Sequence, residues 1–271
     1  MKQLQTNPGP DEKAARSVNI SIDDVGVKRQ QETRDKGPVD LPQEEKPSKS
    51  DTKYGHNTLV HLQKEDSQYV FNGQGAATTL RMVIAFLFSN KWLDNNLLFV
   101  VDGQKTLHAA VIKRFAVFRN IQLIVDWSHL EKKGKEQLSL ALRGRLVRNQ
   151  VLEKLMALLW NGCVDAAVSY VNSVKPSWIK DQNLLAQLID YLERHKPFIP
   201  WYCVRKKLGL RNSSNVGEKQ NDLIVAERQK HHGMSWSKSG SLALASLTAL
   251  VSNNEADGWF SNQRISFKLA A

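Results

Sequence analysis

The chain carries little cysteine and no long apolar run. Its two cysteines, Cys163 and Cys203, stand forty positions apart, and neither belongs to a Cys-x-x-Cys pair. That excludes a disulfide scaffold and a cysteine-based zinc site, and it fits a reducing, cytoplasmic setting. Both thiols read as core residues rather than ligands. A membrane span needs roughly 18 apolar residues. The best run here, Leu242–Val251, has ten and includes Ser246 and Thr248. No basic stretch followed by an apolar one opens the chain, so neither secretion nor a membrane partner is expected.

Charge is what the chain has in excess. Lys plus Arg number 38 against 27 Asp plus Glu in 271 residues, a net of +11. Residues 1–53 hold ten of each sign, so the whole excess lies in 54–271. A globular body with that balance favours a polyanionic partner, most often nucleic acid.

The polar residues 1–16, with Pro8 and Pro10, read as disordered. Ser17–Ile22 alternates as a half-buried strand ending on Asp23-Asp24, and residues 28–53 read as a solvated linker. Strands follow over Asn57–Gln63 and Gln68–Phe71, then a buried helix over Ala76–Asn90. Leu97–Val101 is a continuous apolar strand stopped by Asp102-Gly103. A helix over Thr106–Phe118 has Leu107, Val111, Ile112 and Phe115 on one face, and the strand Ile121–Val125 ends at Asp126. From Trp127 to Lys207 the spacing predicts only helices. Asn212-Ser213-Ser214-Asn215 offers caps to a helix over Val216–Lys230 that Gly233 ends, and a last helix covers Ser239–Leu250. The expected segments are a disordered 1–16, a core over 17–144, a helical insertion over 145–211, C-terminal helices over 212–251 and a tail over 252–271.

Three strands are thus expected to end in a carboxylate: Asp23, Asp102 and Asp126. In open α/β sheets, reactive groups collect at the carboxyl ends of strands. Clustered carboxylates repel, and Mg²⁺, which takes hard oxygen ligands, is their natural counter-charge. Any one such Asp is more often a helix cap or a turn former, Asp126 above all. His129 sits three residues after Asp126 at a helix start, where a packed or solvated histidine is an ordinary occupant. His231 and His232 read as surface residues near a helix end. Glu218 stands in the first turn of its helix, with Asn221, Val225, Arg228 and Gln229 on or beside its face. Glu227 is half a turn out of phase.

Four stretches in order resemble one family. They are Ile20-Ser21-Ile22-Asp23-Asp24-Val25-Gly26-Val27-Lys28; Phe99-Val100-Val101-Asp102-Gly103; Asp126-Trp127-Ser128-His129-Leu130-Glu131-Lys132-Lys133; and Asn215-Val216-Gly217-Glu218-Lys219-Gln220-Asn221. Arg228-Gln229-Lys230 and Gly233-Met234-Ser235-Trp236-Ser237 follow the last. Together, over about residues 17–250, they resemble the catalytic part of bacterial insertion-sequence DDE transposases of the Mutator-like group.

The resemblance implies an α/β, ribonuclease-H-like mixed sheet flanked by helices, with an all-helical insertion before the last catalytic helix. It implies that Asp23, rather than Asp24, matches the first catalytic aspartate, Asp102 the second and Glu218 the glutamate. These three would hold two Mg²⁺ ions, with Mn²⁺ as a substitute, for cleavage and strand transfer at phosphorus. Asp126 and His129 match an Asp-x-x-His signature beside the catalytic centre, where Asp126 positions the helix and His129 assists at the DNA. Asn221 assists from the glutamate helix. The implied partners are DNA, as transposon ends and target, and further copies of the chain on that DNA, in the cytoplasm at the nucleoid. Two basic groups suit DNA phosphates. One is Lys132, Lys133, Lys135, Arg143, Arg145 and Arg148; the other is Lys206, Lys207 and Arg211, beside Trp201 and Tyr202. Arg228 and Lys230 add to them. The two aromatics suit core packing better than base stacking. Only 22 residues precede Asp23, fewer than whole transposases of this kind carry, so an N-terminally truncated catalytic region is one expectation. A stand-alone nuclease and a non-catalytic DNA-binding remnant are the alternatives.

Overall fold

In the computed structural model of the chain, the described residues are 17–30, 54–230 and 234–267. The segment expected to be disordered, nearly all of the expected linker, and His231, His232 and Gly233 lie outside them. The chain forms two compact units. The first joins the chain up to Ser21 with Asp94–Asn215, and the second joins Ile22–Leu93 with the chain from Val216.

Five strands make one mixed sheet: β1 (Ser17–Lys28), β2 (Tyr54–Lys64), β3 (Ser67–Gly73), β4 (Asn96–Val101) and β5 (Ile121–Val125). Their hydrogen-bonded order is β3-β2-β1-β4-β5, with β2 and β3 antiparallel and β4 and β5 parallel. With its flanking helices, this is the α/β class expected, and the order is consistent with a ribonuclease-H-like sheet. Strand β1 departs from its expected end. It runs for 12 residues, through Asp23-Asp24 and on to Lys28. Val18, Ile20 and Ile22 are buried on one parity, and Val25 and Val27 on the other. Apolar alternation resumes beyond the acids, so Asp23 is a mid-strand side chain and not a strand terminus.

In the first unit, β4 is buried from Leu97 to Val101. Helix α2 (Lys105–Phe115) buries Leu107, Val111 and Phe115, whereas Ile112, expected on that face, is exposed. One helical step of about 100° from Val111 carries Ile112 off the buried stripe. The long helical run consists of α3 (Trp127–Ala141), α4 (Arg145–Trp160), α5 (Val164–Asn172), α6 (Gln182–His195) and α7 (Tyr202–Lys207). Their core includes Leu130, Leu138, Leu155, Leu159, Leu188 and Tyr202. Pro176 and Pro197 sit in the opening turns of two 3₁₀ segments, where a missing N–H costs nothing. Cys163 is exposed and Cys203 half-buried, so neither is the core thiol expected.

In the second unit, α1 (Ala76–Ser89) buries Leu80, Val83, Phe86 and Leu87. The single helix expected over 216–230 is instead α8 (Asn215–Asn221), a π-helical stretch (Asp222–Ala226) and α9 (Glu227–Gln229). A π-turn takes up an extra residue, so spacings counted from Glu218 at 3.6 residues per turn fail beyond Asn221. Val225 and Gln229 are fully buried and Arg228 is exposed. Ile224 and Val225 pack with Val25, Val27, Leu59 and Val70, and with Ala245 and Ala249 of α10 (Lys238–Ser252). The stretch expected as a tail contains α11 (Ala256–Asn262). It also contains the buried Glu255, which accepts from the Ser266 and Phe267 N–H groups at 2.9 and 3.0 Å. Among the described residues, no helix is long and apolar enough to cross a membrane.

Candidate functional site

The parallel register of the first unit pairs Val101 with Val125, so Asp102 and Asp126 follow two neighbouring strand ends. The Asp126 N–H donates to the Val101 carbonyl at 2.9 Å. Asp102 is partly buried, and its Oδ1 accepts from the Gln104 N–H at 2.9 Å. Among the described residues it makes no ion pair. Gly103 has φ +86°, and a β-carbon there would lie 2.5 Å from the Tyr191 hydroxyl. Both facts demand glycine after the aspartate. The His195 ring braces this turn, with Nε2 2.9 Å from the Gly103 carbonyl and Nδ1 2.8 Å from the Tyr191 carbonyl. Burial, with the Asp102 charge adding to it, pushes the Tyr191 hydroxyl up to about 12.

His108 packs edge-on against His195, with ring centroids 5.3 Å apart. Both its ring nitrogens are buried with no partner among the described residues. Burial, reinforced by His195, pushes His108 down to about 4. A depressed folded value means that the unfolded chain binds the extra proton first. The neutral ring's contribution is therefore complete above the ordinary value of 6.5 and is lost as pH falls from there towards about 4. Chemical denaturation should show stability dropping over this window by an amount on the order of 3 kcal/mol. A His108→Phe variant should flatten that part of the profile.

Asp126 is fully buried. Its Oδ1 accepts from the Ser128 N–H and hydroxyl, each at 2.7 Å, which caps α3 as the sequence predicts. Its Oδ2 accepts from the Ser214 N–H at 2.7 Å and from the Ser214 hydroxyl. His129 is partly exposed, with Nδ1 3.7 Å from Asp126 Oδ2. Burial pushes the Asp126 carboxyl up, but the neighbouring His129 ring and the hydrogen bonds from Ser214 and Ser128 outweigh it and hold the group well below the usual carboxylate range. The same carboxylate therefore fixes the start of α3 and the segment that leads towards α8. Trp127 strengthens that tie, its N–H donating to the Asn212 carbonyl at 3.0 Å.

In the second unit, the Asn221 side-chain amide donates to Asp23 Oδ2 at 2.8 Å. Glu218 lies three residues before Asn221 within α8, on the same side of the helix. Asp24 belongs to the other parity of β1, and its Oδ1 accepts from the Thr58 hydroxyl. The two adjacent aspartates thus have different neighbours: Asp23 meets the glutamate helix and Asp24 meets β2.

Of the basic residues, Lys132, Lys135, Arg143, Arg145, Lys206, Lys207, Arg228 and Lys230 are exposed. Lys133, Arg148 and Arg211 are partly buried. None of them forms an ion pair among the described residues. Tyr202 is the core aromatic expected, its hydroxyl donating to the Val125 carbonyl at 2.7 Å. Trp201 is not, being 65% exposed. Its ring lies over Gly162, where a β-carbon would come within 2.1 Å of Cδ1.

Sequence reasoning missed Tyr191 and His195, the latter bracing the Gly103 turn from 92 residues away, and Ser214, which holds Asp126 from 88 residues away. No local spacing signals such contacts. No family model and no curated protein matches the chain. Among solved structures, the Drosophila P element transposase strand transfer complex matches it with a TM-score of 0.30 at 10% identity, over 97% of this chain and 70% of that one.

Proposed function

We propose that the chain is the catalytic region of a DNA transposase, cleaving phosphodiester bonds and joining the freed 3′-hydroxyl to a target. Asp23, Asp102 and Glu218 are the carboxylates of this reading. It rests on the resemblance of the four motifs, and one observation carries it. The Asn221–Asp23 hydrogen bond ties the helix of Glu218 to the strand of the first aspartate.

The donor set suits Mg²⁺, or Mn²⁺ in its place. All three are hard oxygen ligands, and Asp102 has no cationic partner among the described residues. When bound, two such ions activate an attacking oxygen and stabilise the leaving one. The protein's part is placement. Asn221 orients Asp23, and the Gly103 turn with His195 and Tyr191 orients Asp102. Asp126 anchors the start of α3, which presents His129 to the DNA as a hydrogen-bond donor. The attacking group is first water and then the 3′-hydroxyl, on DNA held by further copies of the chain.

Exposed Lys and Arg supply affinity for phosphates rather than sequence reading. DNA binding should therefore be weakly selective and steeply salt-dependent, with a slope of about −0.9 in log affinity against log salt for each phosphate neutralised. Replacing Lys132, Lys133 and Arg143 together by glutamate should make that slope shallower by roughly 2–3. A titration of duplex binding across salt reads this directly. The function itself is tested by incubating the protein with plasmid DNA in Mg²⁺, Ca²⁺ or chelator. Nicking and joined products in Mg²⁺ alone support it; intact plasmid in all three overturns it.

A further inference from the structure

The second unit has a recess beyond the end of β1 that the proposed catalysis leaves unused. The Gln30 N–H donates to the Trp236 carbonyl at 2.9 Å, and the Trp236 N–H donates to the Lys28 carbonyl at 3.0 Å. This short parallel bridge fixes Trp236 beside Arg29, just ahead of α10. Arg29, His56, Gln74, Trp236 and Lys238 line the recess over Asn57.

Polar atoms on the floor are matched within the protein. The buried Asn57 amide donates to the Ser241 hydroxyl at 2.8 Å, and that hydroxyl donates to Gln229 Oε1 at 2.5 Å. The wall is not matched. Trp236 Nε1 is buried with no acceptor among the described residues. Arg29 and Lys238 form no ion pair, and no carboxylate lines the recess, among the described residues. Ser237 Oγ already accepts from the Gly240 N–H at 3.0 Å, so the case rests on side chains and not on the helix end. Two permanent cations and an imidazole line this space, beside an indole N–H that has no acceptor among the described residues. A small anion with several oxygens completes such a set, and a guanidinium beside an ammonium is suited to phosphate.

We propose that this recess binds a backbone phosphate of DNA, an anchor separate from the catalytic carboxylates; the choice of DNA as the source rests on the proposed function. The test measures binding of a short labelled duplex across salt by wild-type protein, Arg29→Gln/Lys238→Gln and Trp236→Phe. The double variant should bind roughly tenfold more weakly at 0.1 M salt, with a slope shallower by about 0.9 for the one phosphate lost. Trp236→Phe keeps an aromatic ring and loses the donor, so affinity should fall severalfold at an unchanged slope. Lys238→Gln alone, at an exposed position, carries the slope test if the double variant does not fold. Wild-type protein that binds the duplex while every variant matches it overturns the recess and leaves the proposed function standing. Variants that behave as expected in a protein that never nicks DNA overturn the catalytic reading and leave the recess standing. A third arm uses inorganic phosphate alone. If phosphate at low millimolar concentration changes the fluorescence of wild-type but not Trp236→Phe protein, while duplex binding ignores the substitutions, the source is free phosphate and the DNA assignment is overturned.

Discussion

Replacing Glu218 with glutamine should abolish metal-dependent DNA cleavage while leaving the protein folded. Glutamine keeps the shape of the side chain and loses its charge, so α8 and its Asn221–Asp23 tie remain. On the proposed reading, what goes is one anionic oxygen ligand among three. A loss of at least about a hundredfold is expected, equivalent to roughly 2.7 kcal/mol of barrier. Glu227 is the control on the same run of helix. It is exposed beyond the π-helical stretch, and Glu227→Gln should cleave like the wild type. Single-turnover nicking of plasmid, read beside thermal melting, separates the outcomes. Equal cleavage by Glu218→Gln and wild-type protein would remove Glu218 from the site.

The second large effect is on stability. Asp126→Ala leaves the backbone N–H groups of Ser128 and Ser214 without their acceptor. A lost helix cap costs about 1 kcal/mol, and an unsatisfied buried donor costs roughly 1–3 kcal/mol more. A total of about 3 kcal/mol is expected, which is a large share of a typical domain's stability. The effect should depend on pH. The folded carboxyl is held below its ordinary 3.8, so its contribution is complete above that value and is lost as pH falls towards the depressed one. The gap between wild-type and variant stability should therefore narrow in strong acid. His129→Ala removes a partly exposed ring whose Nδ1 stands 3.7 Å from this carboxylate and does not carry the cap. It should lower cleavage clearly and melting only slightly. Full activity, or simple unfolding, would make His129 a packing residue.

The contrast between Asp102 and Asp23 shows what the sequence could express. Asp102 and Asp126 were legible as strand ends because β4 and β5 are short apolar runs that stop at the acid. The cap made by Asp126 was legible for the same reason: its acceptor and the Ser128 donor are two residues apart. Asp23 was misplaced because β1 changes the parity of its buried residues at the two acids, and an interrupted alternation reads as an ending. The π-helical stretch was invisible, since counting at a fixed 3.6 residues per turn assumes what the backbone does not keep. Trp201 and Tyr202 are adjacent aromatics of similar character, yet one is exposed and the other is fully buried. Only the tertiary partners decide this: the Val125 carbonyl receives Tyr202, and Gly162 leaves room for Trp201 on the surface.

The most direct measurement is of the metal's position, taken without reference to activity. Fe²⁺ substituted for Mg²⁺, with ascorbate and peroxide, generates radicals that cut the polypeptide beside the bound ion. The proposed function predicts cuts close to Asp23, Asp102 and Glu218, suppressed by excess Mg²⁺ and weakened in Asp23→Asn and Glu218→Gln. A chain cut elsewhere under the same conditions, or cut near one of these carboxylates and not the other two, would contradict the assignment of Asp23, Asp102 and Glu218 as one metal-binding set.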